Sequence, residues 1–120
     1  MLRIKDLHVY YGGIHALKGI NMEVPDNKIV TLVGANGAGK STALRAVCNQ
    51  IAAAAGNIYF EDEKITGLNT VDIVKKGITL VPEGRKIFAN LTVLENMHMG
   101  AYSRSDKNGI EADIKKMYGV

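Results

Sequence analysis

Residues 29–42 read IVTLVGANGAGKST, the most informative stretch of the sequence. Its first five residues form a short apolar run rich in β-branched side chains, which predicts a strand buried on both faces of a parallel sheet. Residues 34–41 fit the pattern G-x-x-x-x-G-K-[S/T], and Thr42 follows it; the glycines turn the backbone so that successive N–H groups point at phosphate oxygens. Apolar side chains then recur at helical spacing over residues 40–51. The order of strand, glycine loop and helix predicts a site for a nucleoside triphosphate.

The residues of this loop have separate predicted roles. Main-chain N–H groups and the N-terminus of the helix hold the phosphates, and the Lys40 ammonium reaches the β- and γ-phosphates. The Ser41 hydroxyl is expected to ligate Mg²⁺, and Thr42 to lie beside the α-phosphate. The glycines do not follow the dinucleotide fingerprint G-x-G-x-x-G. The predicted nucleotide-binding set in the loop is Gly34, Ala35, Asn36, Gly37, Ala38, Gly39, Lys40, Ser41 and Thr42.

The remaining pattern predicts an α/β domain with an antiparallel edge. Residues 2–10 and 17–24 alternate loosely between apolar and polar, with a turn at Tyr11-Gly12-Gly13 between them. Residues 57–60 predict another strand, and residues 78–81 a second buried one.

Three further helices are predicted. Thr70 is the expected N-cap of a short helix over residues 71–76, with Gly77 at its C-terminal end. Thr92 and Glu95 have the capping-box spacing, so a helix is expected to begin there. A last helix is predicted over residues 110–118.

Composition excludes several classes of protein. The chain has 120 residues, of which 47% are apolar and 22% charged, and its net charge of +3 is dispersed among acidic residues, so nucleic-acid binding is not expected. The single cysteine, Cys48, forms no internal disulfide and is expected in the core. No apolar run approaches the roughly 18 residues of a membrane span. His8, His15 and His98 lack metal-ligand spacing and are expected to be structural or surface residues, with His15 near the turn at Tyr11.

Three segments, together with the loop, resemble the nucleotide-binding subunits of ABC transporters. Tyr11-Gly12 precedes Ala16-Leu17, residues 81–85 read VPEGR, and residues 91–96 read LTVLEN. The last two segments are similar to the second ATPase of branched-chain amino acid importers, the LivF type. The resemblance implies that the nucleotide is ATP, with the Tyr11 ring stacked on adenine. It also implies a P-loop NTPase core with the antiparallel edge in residues 1–90 and the start of a helical subdomain in residues 91–120.

Glu83 is a departure from most of the family, which has glutamine there. The resemblance implies that this residue contacts Mg²⁺ and the attacking water, and the LivF-like subgroup also carries glutamate. A carboxylate is a suitable oxygen ligand for Mg²⁺. The expected catalytic residues are therefore Lys40 and Glu83, and the expected metal ligands are Ser41 and Glu83.

Several motifs of the family have no match in these 120 residues. They are the Leu-Ser-Gly-Gly-Gln signature, the strand that carries the catalytic glutamate, and the switch histidine. We therefore expect the sequence to be a truncated, N-terminal part of a longer protein, with sheet edges left uncovered. We expect this part to bind nucleotide without hydrolysing it.

The resemblance also implies partners. A second ABC ATPase subunit, identical or different, would complete the site, and membrane permease subunits would hold the protein at the cytoplasmic face of a prokaryotic membrane. A periplasmic or extracellular binding protein would act indirectly. Residues 84–96 are the expected coupling surface, with Arg85 as its charged contact. Two alternatives stay open: the ATPase of another ABC system, either an exporter or a soluble ABC protein, and a GTPase, for which the guanine-reading Asn-Lys-x-Asp element is absent.

Overall fold

The computed structural model describes residues 1–34, 39–84 and 86–120 of the chain. It contains two compact units, Met1–Leu80 and Val81–Val120. The predicted division after residue 90 stays a prediction. Among the described helices, none combines the length and the apolar character that crossing a bilayer requires.

The first unit is built on an antiparallel sheet of four strands in the order β2-β1-β3-β4. The strands are β1 (Leu2–Tyr11), β2 (Ile14–Val24), β3 (Ala55–Phe60) and β4 (Glu63–Lys64). A turn at Gly12-Gly13 joins β1 to β2, as the sequence predicts. The predicted antiparallel edge is confirmed, and the first two strands are longer than the sequence pattern indicates.

The two strands predicted to be buried are wrong. Residues 29–33 and 78–81 have no strand structure, and Ile29, Val33 and Val81 are 95%, 91% and 89% exposed. An apolar run becomes a parallel strand only when neighbouring strands pair with it and helices cover its faces. No described strand pairs with either run through backbone hydrogen bonds. The sheet of the described residues is therefore purely antiparallel.

Two helices, α1 (Lys40–Val47) and α2 (Thr70–Lys75), pack in this unit. Helix α1 is shorter than the predicted range of 40–51, and its C-cap is the buried residue Cys48. Burial raises the pKa of the Cys48 thiol. The expected core position of this cysteine is confirmed.

The predicted N-cap of α2 is also wrong. The Asn69 side chain, not that of Thr70, accepts the hydrogen bond from the Asp72 backbone N–H, at 2.9 Å. The Thr70 hydroxyl instead donates to the Cys48 carbonyl oxygen at 2.9 Å, which ties α2 to the end of α1. Asparagine and threonine are both good caps, and this tertiary hydrogen bond engages the threonine elsewhere. The helix ends at Lys75 with Lys76 as its C-cap, and Gly77 follows with a φ of +106°, at the C-terminal end where the sequence predicts it.

The core lies between the sheet and α1. Sheet residues from β1, β2 and β3, the small side chains of α1, and one residue just after β4 form one buried cluster. Its members are Ile4, Leu7, Val9, Leu17, Ala43, Ala46, Val47, Ile58 and Ile65. Because α1 begins at Lys40, this packing fixes the start of the helix relative to β1 and β2.

The second unit contains α3 (Val93–Gly100) and α4 (Lys107–Tyr118). The predicted capping box is confirmed: the Thr92 hydroxyl accepts from the Glu95 N–H at 3.1 Å, and the Glu95 carboxylate accepts from the Thr92 N–H at 3.0 Å. These bonds hold the pKa of Glu95 below its usual value, because they favour the ionised carboxylate.

Asn96 holds the loop before α3. Its side-chain oxygen accepts from the Phe88 N–H at 2.9 Å, and its side-chain amide donates to the carbonyl oxygens of Phe88 and Thr92, at 3.1 and 2.9 Å. The loop before α3 is thus fastened to the first turn of the helix.

Gly56 lies where the backbones of β1 and β3 approach each other closely. It has a φ of +96°, and a Cβ atom there would lie 2.3 Å from the Asp6 carbonyl oxygen. Gly67 is the matched control, because its φ is +83° but a Cβ atom would contact nothing within 4 Å. We expect Gly67→Ala to lower the free energy of unfolding by about 1 kcal/mol through backbone strain alone. Gly56→Ala should lower it by a further 1–3 kcal/mol, roughly the range for overpacking. Equal losses in urea titration would contradict the steric argument.

Asn96→Ala should release the loop before α3. Since a net hydrogen bond contributes about 1 kcal/mol, amide hydrogen exchange at Phe88 should accelerate at least about fivefold. Asn108→Ala, at an exposed position of α4, is the control and should leave the Phe88 amide unchanged. An unchanged Phe88 rate in Asn96→Ala would show that other contacts hold this loop.

Candidate functional site

The described ends of the glycine loop are Gly34 and Gly39. Helix α1 begins immediately after Gly39, at Lys40. The Lys40 ammonium donates a hydrogen bond back to the Gly34 carbonyl oxygen, so one cation spans the two ends of the loop. The predicted phosphate contacts of Ala35, Asn36, Gly37 and Ala38 lie outside the described residues.

Gly39 is the residue that sets this geometry. Its φ of +93° lies in the left-handed region, which favours glycine. A Cβ atom there would lie 2.7 Å from Leu17 Cδ2 and 3.3 Å from the Ala16 carbonyl oxygen. The start of α1 therefore packs directly against β2, at a distance that only a glycine allows without rearrangement.

The start of α1 suits an anion. Gly39 has no side chain with which to cap the first N–H groups of the helix, and the first turn holds no acidic residue. The N-terminus of a helix carries a partial positive charge, and the Lys40 ammonium adds a full one. Ser41 and Thr42 lie half-buried in the same turn. These residues fit a phosphate group, which takes N–H and ammonium donors.

Tyr11 ends β1, and its side chain is 43% exposed. Its hydroxyl oxygen accepts a hydrogen bond of 3.1 Å from Arg45 Nη1. Arg45 belongs to α1 and follows Lys40 by five positions. The sequence analysis missed this arginine. The signal available in the sequence was a basic residue within the predicted helix, between the apolar residues Leu44 and Ala46.

His15 lies in a cluster of side chains near the Tyr11 turn. Its ring stacks on Tyr10, with ring centroids 4.2 Å apart and planes 10° from parallel. Its Nε2 lies 3.0 Å from His8 Nδ1, and His8 Nε2 lies 3.2 Å from Asp6 Oδ1. The expected structural role of His8 and His15 agrees with these contacts. In the parts of the chain that the structure describes, no group of three or more His, Cys, Asp or Glu side chains is arranged to hold a metal ion.

Glu83 is exposed and belongs to the second unit. The geometry of the first unit therefore does not bear on its expected roles as a catalytic residue and metal ligand. Arg85, the expected charged contact of the coupling surface, lies outside the described residues. The assignments of Ser41 and Glu83 to Mg²⁺, and of Tyr11 to adenine, stay predictions.

Comparison with known proteins decides the family. Residues 17–119 match the family described as ABC transporter. The chain belongs to the ABC transporter family. It is 44% identical over 117 residues to the high-affinity branched-chain amino acid transport ATP-binding protein BraG of Pseudomonas aeruginosa, a match that covers 98% of this chain and 50% of that protein. It is 35% identical over 103 residues to the probable branched-chain amino acid transport ATP-binding protein LivF of Archaeoglobus fulgidus, covering 86% and 44%. The chain therefore spans about half the length of these relatives.

A solved structure confirms the fold class of this ABC-family chain. MJ1267, an ATP-binding cassette of an ABC transporter, superimposes with a TM-score of 0.79 at 29% identity, over 87% of this chain and 41% of that one. A second structure, the ADP conformation of MJ1267, superimposes with a TM-score of 0.71 at 28% identity, over 93% and 45%. The predicted α/β cassette fold with its antiparallel edge is thus confirmed.

Gly39→Ala should disturb the start of α1. The Ala43 N–H donates to the Gly39 carbonyl oxygen at 2.9 Å, so its hydrogen exchange reports on this turn. Because the new methyl group would press on Leu17, we expect exchange at Ala43 to accelerate by roughly tenfold or more, for a strain of about 1.4 kcal/mol or above. Gly12→Ala is the control: Gly12 also has a positive φ, of +57°, but a Cβ atom there has nothing within 4 Å. The same acceleration in Gly12→Ala would refute the proposed contact.

Proposed function

We propose that this chain is the N-terminal part of the ATP-binding subunit of an ABC importer, and that it binds Mg-ATP through residues 34–42. One observation carries the proposal: the Lys40 ammonium lies at the start of α1 and is bonded back to Gly34. A lysine in that position exchanges a backbone carbonyl for phosphate oxygens when a triphosphate enters. The ADP conformation of MJ1267, a cassette of the same family, supports a nucleotide as the ligand.

Each residue has one task in this proposal. Main-chain N–H groups of the loop and the first turn of α1 hold phosphate oxygens, and Lys40 balances the charge of the terminal phosphates. The Ser41 hydroxyl and the Glu83 carboxylate are the proposed Mg²⁺ ligands, since both are oxygen donors. The Tyr11 ring is the proposed stacking surface for adenine. When bound, Mg²⁺ supplies neutralisation of the phosphate charge.

We further propose that the whole protein is an ATPase, with Lys40 and Glu83 among its catalytic residues. The 120-residue chain by itself should bind nucleotide without turnover, because the resemblance assigns the catalytic glutamate and the signature segment to sequence outside it. The proposed parts are residues 1–90 for the phosphate-loop core with its antiparallel edge, and residues 91–120 for the start of the helical subdomain.

The proposed cargo is branched-chain amino acids. The names of BraG and LivF support this cargo, and their transport role supports membrane permease subunits and a second ATPase subunit as partners. A binding protein outside the cell would deliver the cargo. The proposed location is the cytoplasmic face of the membrane, with residues 84–96 as the coupling surface. An exporter or a soluble ABC protein is the alternative.

The test of nucleotide binding compares two lysines. Lys40→Ala removes the proposed phosphate clamp, whereas Lys28→Ala removes an exposed lysine of the same unit. Because a hydrogen bond to a charged group contributes about 1.5–3 kcal/mol, Lys40→Ala should weaken Mg-ATP binding in calorimetry about 10- to 100-fold. Lys28→Ala should bind like the unaltered chain. Equal affinity in all three proteins would refute the proposed site. Phosphate release is a separate measurement: if the unaltered chain released phosphate above background and Lys40→Ala abolished this release, the proposed lack of turnover would be refuted.

The cargo is tested in cells whose full-length protein carries Lys40→Ala. Uptake of labelled leucine should fall to background, while uptake of labelled galactose stays unchanged. Unchanged leucine uptake together with a loss of galactose uptake would contradict the proposed cargo. The proposed nucleotide site would not be affected by that result.

A further inference from the structure

We propose that Arg45 is a positioning residue for the nucleotide base: it holds the Tyr11 ring at a fixed place relative to Lys40, before the nucleotide arrives. The inference rests on the proposed function and deepens it, because it assigns a role in base binding to a residue outside the glycine loop. It starts from the 3.1 Å hydrogen bond between Arg45 Nη1 and Tyr11 Oη.

This hydrogen bond connects the two elements that a nucleotide has to span. Tyr11 lies at the end of β1, and Arg45 lies on α1, whose first residue is Lys40. The two partners are 34 positions apart in the chain. Beneath them, Val9 of β1 and Ala46 of α1 are buried in one core cluster, so the strand and the helix are already fixed to each other. The hydrogen bond extends that fixed relation to the exposed tyrosine ring.

Tyr11 needs such a tether. It is the last residue of β1, and Gly12-Gly13 follows it, so the chain beyond the ring has no side chains to pack on it. Its neighbour Tyr10 is held differently, by stacking on His15. An exposed aromatic ring that is free to change rotamer loses that freedom when a base stacks on it, which weakens binding. A ring already held by Arg45 loses less.

Arginine suits this role chemically. Its guanidinium is charged at every accessible pH and carries several N–H donors in a rigid plane. The hydrogen bond to the phenol oxygen is therefore charge-assisted. Both partners are exposed, so the bond should add little to the stability of the fold. Its main effect should be on where the ring lies.

Two ligands separate this role from a direct contact between Arg45 and phosphate. Mg-ATP uses both the glycine loop and the ring, whereas inorganic tripolyphosphate with Mg²⁺ uses the loop alone. We expect Arg45→Met to weaken ATP binding about three- to tenfold, the range for one net hydrogen bond, and tripolyphosphate binding less than twofold. Tyr11→Phe keeps the ring and removes only the acceptor oxygen, so it should reproduce this pattern. The double variant should be no weaker than either single one, because both changes remove the same bond.

The controls address charge and folding. Arg45→Lys keeps the charge without the planar guanidinium and should recover at most part of the ATP affinity. Lys5→Met removes an exposed cation from β1 and should leave both affinities unchanged. Far-ultraviolet circular dichroism of each variant should match that of the unaltered chain.

The binding measurements distinguish failure of the Arg45 inference from failure of the proposed function. Equal losses for ATP and tripolyphosphate in Arg45→Met would overturn the inference in favour of direct phosphate binding. Unchanged ATP affinity, or additive losses in the double variant, would also overturn it. In these cases, Lys40-dependent ATP binding by the unaltered chain would leave the proposed function standing. If the unaltered chain bound neither ligand, both the inference and the proposed function would fail.

Discussion

The close packing of Gly39 against β2 determines where helix α1 begins. A side chain at this position would meet Leu17 and the backbone of Ala16, so the helix start reaches the sheet only because glycine is there. The left-handed φ of Gly39 then sets the direction in which the first turn of α1 leaves the loop. The first N–H groups of the helix and the Lys40 ammonium are brought to one place by this single contact. The helix start therefore offers backbone N–H groups with no side-chain cap, and these are donors that a phosphate group accepts from.

The packing of the core also positions the exposed residues around it. The small side chains of α1, Ala43 and Ala46, belong to the same buried cluster as Leu7 and Val9 of β1. Tyr11 and Arg45 extend from the same two elements, and they meet above the buried cluster. The position of an exposed ring is thus set by the buried packing of its neighbours together with one hydrogen bond.

What the sequence predicts correctly is mostly local. The capping box at Thr92 and Glu95 and the turn at Gly12-Gly13 involve residues only a few positions apart, and both are confirmed. The predicted strand that includes Ile29 is wrong because a strand needs partners distant in the chain, and the described residues offer it none. The predicted N-cap of α2, Thr70, is wrong for a similar reason, because the hydroxyl of Thr70 bonds to Cys48, a residue distant in the chain.

In the site, the sequence pattern identifies the glycine loop but not the contact between Arg45 and Tyr11. Two residues 34 positions apart leave no periodic signal. NMR titration of the isotope-labelled chain with Mg-ATP shows whether the first turn of α1, with Lys40, binds a triphosphate, as we propose. We expect saturable shifts at the backbone amides of Gly39, Lys40 and Ser41, and no such shifts with Mg-AMP at the same concentration. Saturable binding that left these three amides unmoved would contradict this proposal.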